Sequence, residues 1–330
     1  MEKILVSEIT ENQKVDSIFL VKSKSQAMGK TGKPYVYLKL SDKAGEIKGY
    51  IWDNVDKLAP LFEAGDIIKV KSKSSLFQNE LQLSITEIEK IDFKNLAAED
   101  AALFFKSSNN DIESMYNDLK TALKENLTDE YIIKLVDKFL EDENYVKLLK
   151  TLPAAKSIHH AYVGGLLEHT LSMLKTGVFL AEHYKKYVIK DVLLAAIFLH
   201  DAGKIEELKI KNNVIEYSDE GRLLGHIVLG SSAVERKISE INGFPENLKL
   251  ILIHSIIAHH GEMEYGSPKR PKTTEAFLLH YIDNMDSKVN QIADFIDNCD
   301  NALWSRYSKP LDRYLLNSLL FLKNSEKVSD

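Results

Sequence analysis

The sequence predicts a multidomain protein in which a β domain is followed by an all-α domain. Residues 1–91 contain short runs rich in strand-forming residues, separated by turn signals, which is typical of β-strands. From about Leu96 the apolar residues recur with helical spacing. All ten histidines lie in the helical part, between His159 and His280, so we expect a functional site there.

The N-terminal segment has the element order of a small barrel. The predicted elements are strands at 17–22, 35–40 and 46–52, a short helix at 55–62, and strands at 66–73 and 80–88. Three strands, a helix and two further strands is the order of an OB-fold. We therefore expect an OB-fold β-barrel over residues 1–91.

The rest of the chain is predicted to be helical. Residues 131–140 form an amphipathic run, and further helices are expected at 166–184, 191–200, 223–239, 246–259 and 273–297. We expect a helical connector over 92–150, a helical domain that contains the histidine-rich segment over 151–305, and a C-terminal helix and tail over 306–330.

Charge and cysteine content exclude several classes of protein. The net charge of −6 excludes a chain that is basic overall, and one cysteine, Cys299, excludes an intramolecular disulfide. We see no signal peptide, and no run approaches the ~20 apolar residues of a membrane span. The expectation is a cytoplasmic protein without a membrane partner. Its subunit number stays open, with a homo-oligomer as one alternative.

The sharpest motif is His200-Asp201, which follows the apolar run 192–199. Adjacent His and Asp side chains at a helix end can both bind metal, and an aspartate can bridge two ions. Lys204 comes one turn later and can reach a phosphate as a point charge. We therefore predict that Asp201 and Lys204 are catalytic. Taken alone, however, the His200-Asp201 motif fits a capped helix end equally well.

Other polar residues on apolar helices strengthen the metal prediction. They are His169, His226, His254, His259, His260 and Asp283. Each would cost about 1–3 kcal/mol if buried without a partner. A single histidine of this kind is usually a buried residue with a hydrogen-bond partner. Metal coordination, however, would provide partners for the whole set together.

These residues resemble the H…HD…D signature of HD-domain phosphohydrolases, carried by His169, His200-Asp201 and Asp283. His226 and the pair His259-His260 resemble the dinuclear subset, which includes the HD-GYP cyclic-dinucleotide phosphodiesterases. The stretches 160–170, 199–204, 221–227 and 255–271 are similar to the YhaM family of bacterial 3′–5′ exoribonucleases. That family combines an OB-fold with an α-helical HD domain, so the resemblance covers nearly the whole chain.

The resemblance implies hydrolysis of single-stranded RNA from its 3′ end by two divalent ions, with single-stranded DNA left open as a substrate. The first ion would be held by His169, His200, Asp201 and Asp283. Asp201 would bridge to the second, held by His226, His259 and His260, with His254 as an alternative ligand. Imidazoles with carboxylates suit Mn, Fe, Co or Zn, and the family points to manganese. His160, which precedes the first metal helix in sequence, is a candidate contact for substrate phosphate, with a structural role as the alternative.

The barrel carries a candidate substrate-binding surface. Five lysines and no acid lie between Ser17 and Ser41, and four aromatic residues alternate along the adjacent hairpin. Lysines combined with stacking aromatics are typical of single-strand binders. The predicted contacts are Lys22, Lys24, Lys30, Lys33, Tyr35 and Tyr37. The alternative is that the aromatics fill the barrel and the lysines form a solvated face.

Two other functions stay open at this point. One is a cyclic-dinucleotide or nucleotide phosphohydrolase, which the histidine set favours and the barrel disfavours. The other is a single-stranded DNA-binding protein without turnover, for which paired metal sites would have no use.

Overall fold

The computed structural model describes residues 3–29, 32–78, 80–91, 108, 110–154, 162–211, 214–297 and 302–326. It divides into two compact units. One contains an N-terminal barrel together with a short hairpin, Lys209–Glu216, and the other contains the helices from Ser108 onward.

The first unit is a closed five-stranded barrel with strand order β1-β2-β3-β5-β4. The strands are β1 (Lys14–Met28), β2 (Pro34–Asp42), β3 (Gly45–Ile51), β4 (Ile67–Phe77) and β5 (Glu80–Ile91), and helix α1 (Val55–Leu58) follows β3. Parallel pairing of β3 with β5, in which Gly49 lies opposite Leu83, closes the barrel. The predicted OB-fold is confirmed.

Alternation along the strands fills the barrel. On β2 the residues Val36, Leu38 and Leu40 are buried in a core that also contains Phe19 and Ile51. Because neighbouring residues on a strand point to opposite faces, the tyrosines between these core residues point outward.

The short strands β6 (Leu208–Lys211) and β7 (Val214–Tyr217) pair as a hairpin that the sequence patterns did not predict, and residues 209–216 group with the barrel. The second unit consists mainly of helices. Its helices are α2 (Ile112–Asn126), α3 (Glu130–Leu140), α4 (Glu143–Thr151), α5 (Gly165–His183), α6 (Lys190–Leu199), α7 (Lys204–Glu207), α8 (Asp219–Ser239), α9 (Glu246–Ala258), α10 (Thr274–Asp297) and α11 (Ser318–Glu326).

Helix α6 is the centre of this unit. Every residue from Val192 to Leu199 is buried, as expected of a helix that is apolar on all sides. Phe198 makes edge-to-face contacts with Phe139 of α3 and Tyr145 of α4. Helices α3 and α4, in the expected connector, therefore pack against the core helix of this unit.

Two glycines shape the helices that carry the histidines, one by allowing a close approach and the other by interrupting a helix. A Cβ on Gly203 would lie 1.9 Å from the backbone oxygen of His226. Gly225 has φ 73° and ψ 161°, which breaks the helical path of α8 immediately before His226. Glycine adopts this conformation at little steric cost.

Among the described helices, none is both long enough and apolar enough to cross a membrane.

Candidate metal centre and nucleic-acid surface

The helical unit brings seven of the eight predicted metal ligands, all except His254, together from five helices. His169 lies on α5, His200 and Asp201 directly follow α6, His226 lies on α8, His259 and His260 directly follow α9, and Asp283 lies on α10.

The first group consists of His169, His200 and Asp201. One ligand atom from each lies within 4.8 Å of the others, and all three residues are buried. Asp283 joins them, with Oδ1 3.3 Å from Nε2 of His169. The four residues predicted for the first ion are thus adjacent.

The second group consists of His226, His259 and His260, again with ligand atoms within 4.8 Å of one another. Asp201 reaches toward both groups. Its Oδ2 lies 3.2 Å from Nε2 of His200, and its Oδ1 lies 3.6 Å from Nε2 of His226. This is the placement expected of a bridging carboxylate.

Backbone carbonyls fix three of these imidazole rings. The Nδ1 atoms of His200, His259 and His260 lie 2.8, 2.6 and 2.8 Å from the carbonyl oxygens of Ile197, Ile256 and Tyr265. Because a carbonyl oxygen only accepts, each Nδ1 carries the proton and donates it, which leaves the Nε2 lone pair available.

Carboxylates fix the other two rings, and the predicted site set did not include either acid. Asp286 Oδ2 lies 2.7 Å from Nδ1 of His169, and Glu207 Oε1 lies 3.1 Å from Nδ1 of His226. The signal for Asp286 was its spacing of three from Asp283, which places both on one helix face. For Glu207 there was no local signal, because its partner lies 19 residues away.

The pKa values of the site residues shift in different directions. Burial would lower the pKa of His169, but its bonds to Asp283 and Asp286 outweigh burial and raise that pKa to about 9. Burial, together with the neighbouring His200 and His260, holds the pKa of His259 well below its usual value. Burial would raise the pKa of Asp283, but His169 lowers it overall. Asp283 is therefore ionised and His259 neutral, as ligands of a cation must be, whereas His169 must release a proton before its Nε2 can bind an ion.

The residues present fit a divalent metal pair. The Nε2 atoms of His200 and His226 are buried, and neither has a hydrogen-bond partner among the residues that the structure describes. A buried imidazole nitrogen without a partner is costly, and a metal ion would satisfy it. Imidazole and carboxylate donors together match first-row divalent ions.

Lys204 is directed at the predicted bridging carboxylate. Its Nζ lies 2.6 Å from Asp201 Oδ2 and also donates to the carbonyl oxygen of Ala154. An ammonium group has three donors, so one remains for a phosphate oxygen.

His254 lies outside both groups. Its Nε2 accepts a hydrogen bond from the backbone N–H of Lys272 at 2.9 Å. Burial and the charge of Lys272 lower the pKa of His254, which keeps the ring neutral and able to accept. This geometry gives His254 a structural contact with the segment before α10.

On the barrel, the predicted aromatics form a continuous row of four rings. Tyr37 contacts Tyr50 at 5.4 Å, Tyr50 stacks on Trp52 at 5.0 Å, and Trp52 contacts Tyr35 at 5.1 Å between ring centroids. All four point away from the barrel core, with Trp52 45% exposed. The alternative in which these aromatics fill the barrel is therefore wrong.

The predicted lysine contacts differ in their surroundings. Lys33 is exposed, and Lys22 is exposed with Nζ 3.9 Å from Glu46. Lys24 instead contacts the segment that follows α1. Its Nζ donates to the carbonyl oxygens of Ala59 and Phe62 and to the Glu63 carboxylate. A contact between Lys24 and substrate would have to break these bonds. The predicted contacts Lys30 and His160 lie outside the described residues.

Family models match both the barrel and the helical part of the chain. A family model of the HD domain matches residues 166–301, and one described as an OB-fold nucleic acid binding domain matches residues 20–91. A third, described as a putative helicase, matches residues 120–185.

Curated relatives span nearly the whole chain. The 3′–5′ exoribonuclease YhaM of Bacillus subtilis is 31% identical over 290 residues, which is 88% of this chain and 89% of the relative. The protein of the same name from Bacillus velezensis is 32% identical over 87% of this chain and 88% of the relative. The chain therefore belongs to the YhaM family of 3′–5′ exoribonucleases, with an OB-fold barrel followed by a helical HD domain.

Proposed function

We propose that this chain is a metal-dependent exoribonuclease that hydrolyses phosphodiester bonds of single-stranded RNA from the 3′ end. The observation that carries the proposal is the pair of adjacent histidine groups with Asp201 between them. Relatives with similarity over nearly the whole chain are named 3′–5′ exoribonucleases, which supports the direction of cleavage.

The proposed first ion is held by His169, His200, Asp201 and Asp283. The second would be held by His226, His259 and His260, and Asp201 would contribute to both sites. Two bound divalent ions supply an activated water and neutralise charge on the scissile phosphate. Manganese is the proposed metal, because the ligand set suits first-row ions and the family resemblance points to it.

In this proposal the remaining polar groups set the protonation states and orientations of the metal ligands. Lys204 keeps Asp201 ionised through their 2.6 Å contact and uses its third donor on a phosphate oxygen. The Nδ1 contacts of His200, His226, His259 and His260 hold these rings in the tautomer whose Nε2 can bind a metal ion. His160, whose surroundings lie outside the described residues, remains a proposed phosphate contact.

The barrel, proposed as residues 1–91, holds the single strand for the HD domain, proposed as residues 151–305. The row formed by Tyr35, Trp52, Tyr50 and Tyr37 offers ring surface to bases, and the nearby lysines Lys22 and Lys33 offer charge to phosphates. Stacking on aromatics contributes about 1–3 kcal/mol per base and tolerates any sequence. This division of labour suits a processing enzyme that acts on single strands.

The test uses full-length protein and one single-stranded oligoribonucleotide labelled at either end. With the 5′ label we expect a ladder of progressively shorter fragments, and with the 3′ label we expect release of mononucleotide from the start. Chelator should stop both reactions and Mn²⁺ should restore them. Full activity in chelator, or early internal cleavage, would refute the proposal.

Two further substrates separate the alternatives. A single-stranded DNA of the same sequence tests the choice between RNA and DNA. A cyclic dinucleotide tests the small-molecule phosphohydrolase hypothesis, and faster turnover on it than on the oligoribonucleotide would replace the proposed substrate.

A further inference from the structure

A short ribbon near the C-terminus, residues 302–317, lies beyond the HD match, which ends at residue 301. Isolated bridges pair Trp304 with Leu316 and Ser308 with Arg313. The backbone N–H of Ser305 also donates to the carbonyl oxygen of Leu315 at 2.8 Å. The metal centre uses no residue of this ribbon.

The two faces of the ribbon differ in chemistry. Leu311, Leu315 and Asn317 are buried. The aromatic residues are outside, where Trp304, Tyr307 and Tyr314 are 57%, 47% and 62% exposed, and the rings of Tyr307 and Tyr314 meet at 5.3 Å. Three large aromatic side chains held in solvent on one short ribbon indicate a binding surface.

The exposed side chains of the ribbon also carry a net positive charge. Arg306, Lys309 and Arg313 are exposed, and no ion pair within the described part of the chain involves them. The ribbon has one acid, Asp312, which accepts from the Tyr307 hydroxyl. Three cations less one acid give +2 here, in a chain whose net charge is −6.

This chemistry fits a polyanion with flat bases better than it fits a second copy of the chain. Aromatic rings interleaved with cations are the means by which proteins hold single-stranded nucleic acid. A two-fold contact between copies would bring two ribbons of the same positive charge together, which is unfavourable.

We propose that the outward face of residues 302–317 binds single-stranded RNA, as a contact additional to the barrel and the metal centre. Bases stack on Trp304 and Tyr314, while Arg306 and Lys309 contact phosphates. The choice of RNA rests on the proposed function, whereas the binding surface rests on the ribbon itself.

Fluorescence of Trp304 tests the contact directly, because the chain has two tryptophans, Trp52 and Trp304. A Trp52→Phe variant keeps a ring on the barrel and leaves Trp304 as the one reporter. The ligand is an oligouridylate of about 20 nucleotides, longer than the ~4–16 nucleotides that one OB-fold covers. Chelator prevents its hydrolysis. We expect saturable quenching of Trp304.

Charge removal gives a second measurement. The double variant Arg306→Gln/Lys309→Gln should lose two phosphate contacts, and each contact contributes about 0.7 to the salt slope of single-strand binding. The slope should therefore fall by about 1.4, and affinity at 0.1 M salt should fall about 25-fold. The matched control Lys175→Gln/Lys186→Gln removes two exposed charges elsewhere in the helical unit and should leave both values unchanged.

Unchanged Trp304 fluorescence on adding oligouridylate would overturn the proposal, as would equal losses in the two double variants. Trp304 fluorescence that instead depends on protein concentration, with dimers in sedimentation, would assign the ribbon to self-association. Binding is measured in chelator, so the result does not depend on hydrolysis. Cleavage without quenching would remove this inference alone, and quenching without cleavage would remove the proposed function alone.

Discussion

Glu207→Gln should weaken binding of the second metal ion without unfolding the helical unit. Glu207 Oε1 accepts from both the backbone N–H and Nδ1 of His226, at 3.0 and 3.1 Å. Burial would raise the pKa of Glu207, but its bonds to His226 lower that pKa, so the carboxylate is ionised. The variant keeps the size of the side chain and removes its charge.

The expected effect follows from these two bonds. Hydrogen bonds to a charged group contribute about 1.5–3 kcal/mol, and an amide oxygen retains only part of that. Loss of a carboxylate that orients a metal-binding histidine typically costs about 10–100-fold in metal affinity. Since tenfold corresponds to about 1.4 kcal/mol, the expected loss is about 1.4–2.8 kcal/mol.

The assay is Mn²⁺ titration of metal-free protein by calorimetry, with the bound metal counted by elemental analysis. Wild type should bind two ions, whereas Glu207→Gln should bind one at limiting Mn²⁺ and recover the second at excess. The matched control is Glu206→Gln, because Glu206 is the adjacent residue and its carboxylate pairs with Arg236 on the surface at 2.5 Å. Asp286→Asn should instead weaken the first ion, through His169.

Equal metal affinity in Glu207→Gln and wild type would refute the positioning of His226 by Glu207. An equal shift in Glu206→Gln would attribute the effect to general charge. Circular dichroism of each metal-free variant checks that the helices remain.

Three further outcomes are expected. Asp201→Ala should abolish hydrolysis while leaving oligonucleotide binding, because the bridging carboxylate serves both ions; activity within about tenfold of wild type, or about 1.4 kcal/mol of barrier, would contradict the site assignment. Lys24→Met should lower barrel stability by about 1.5–3 kcal/mol in denaturant titration, whereas Lys33→Met should weaken oligonucleotide binding and leave stability unchanged. Gly203→Ala should lower the melting temperature and the metal content together, because its Cβ would overlap the backbone of His226; a normal melting temperature would contradict that packing.

The sequence determined the order of elements and the class of chemistry. Hydrophobic periodicity is a local property, so the five strands and the helices that carry the histidines were predicted, with ends that shift by a few residues. Apolar runs that end in polar side chains, such as 192–199 before His200-Asp201, pointed to the proposed metal ligands because burial without a partner is costly.

The tertiary structure decided the contacts between distant residues. It placed Glu207 against His226 and Asp286 against His169, the latter across 117 positions of sequence, which no local pattern encodes. It also paired His254 with the backbone of Lys272, and Lys24 with the carbonyl oxygen of Ala59 after α1. In sequence, a lysine or histidine with such a structural contact cannot be distinguished from one that binds substrate or metal. Side-chain partners depend on how helices and strands pack, and packing is set by the whole chain at once.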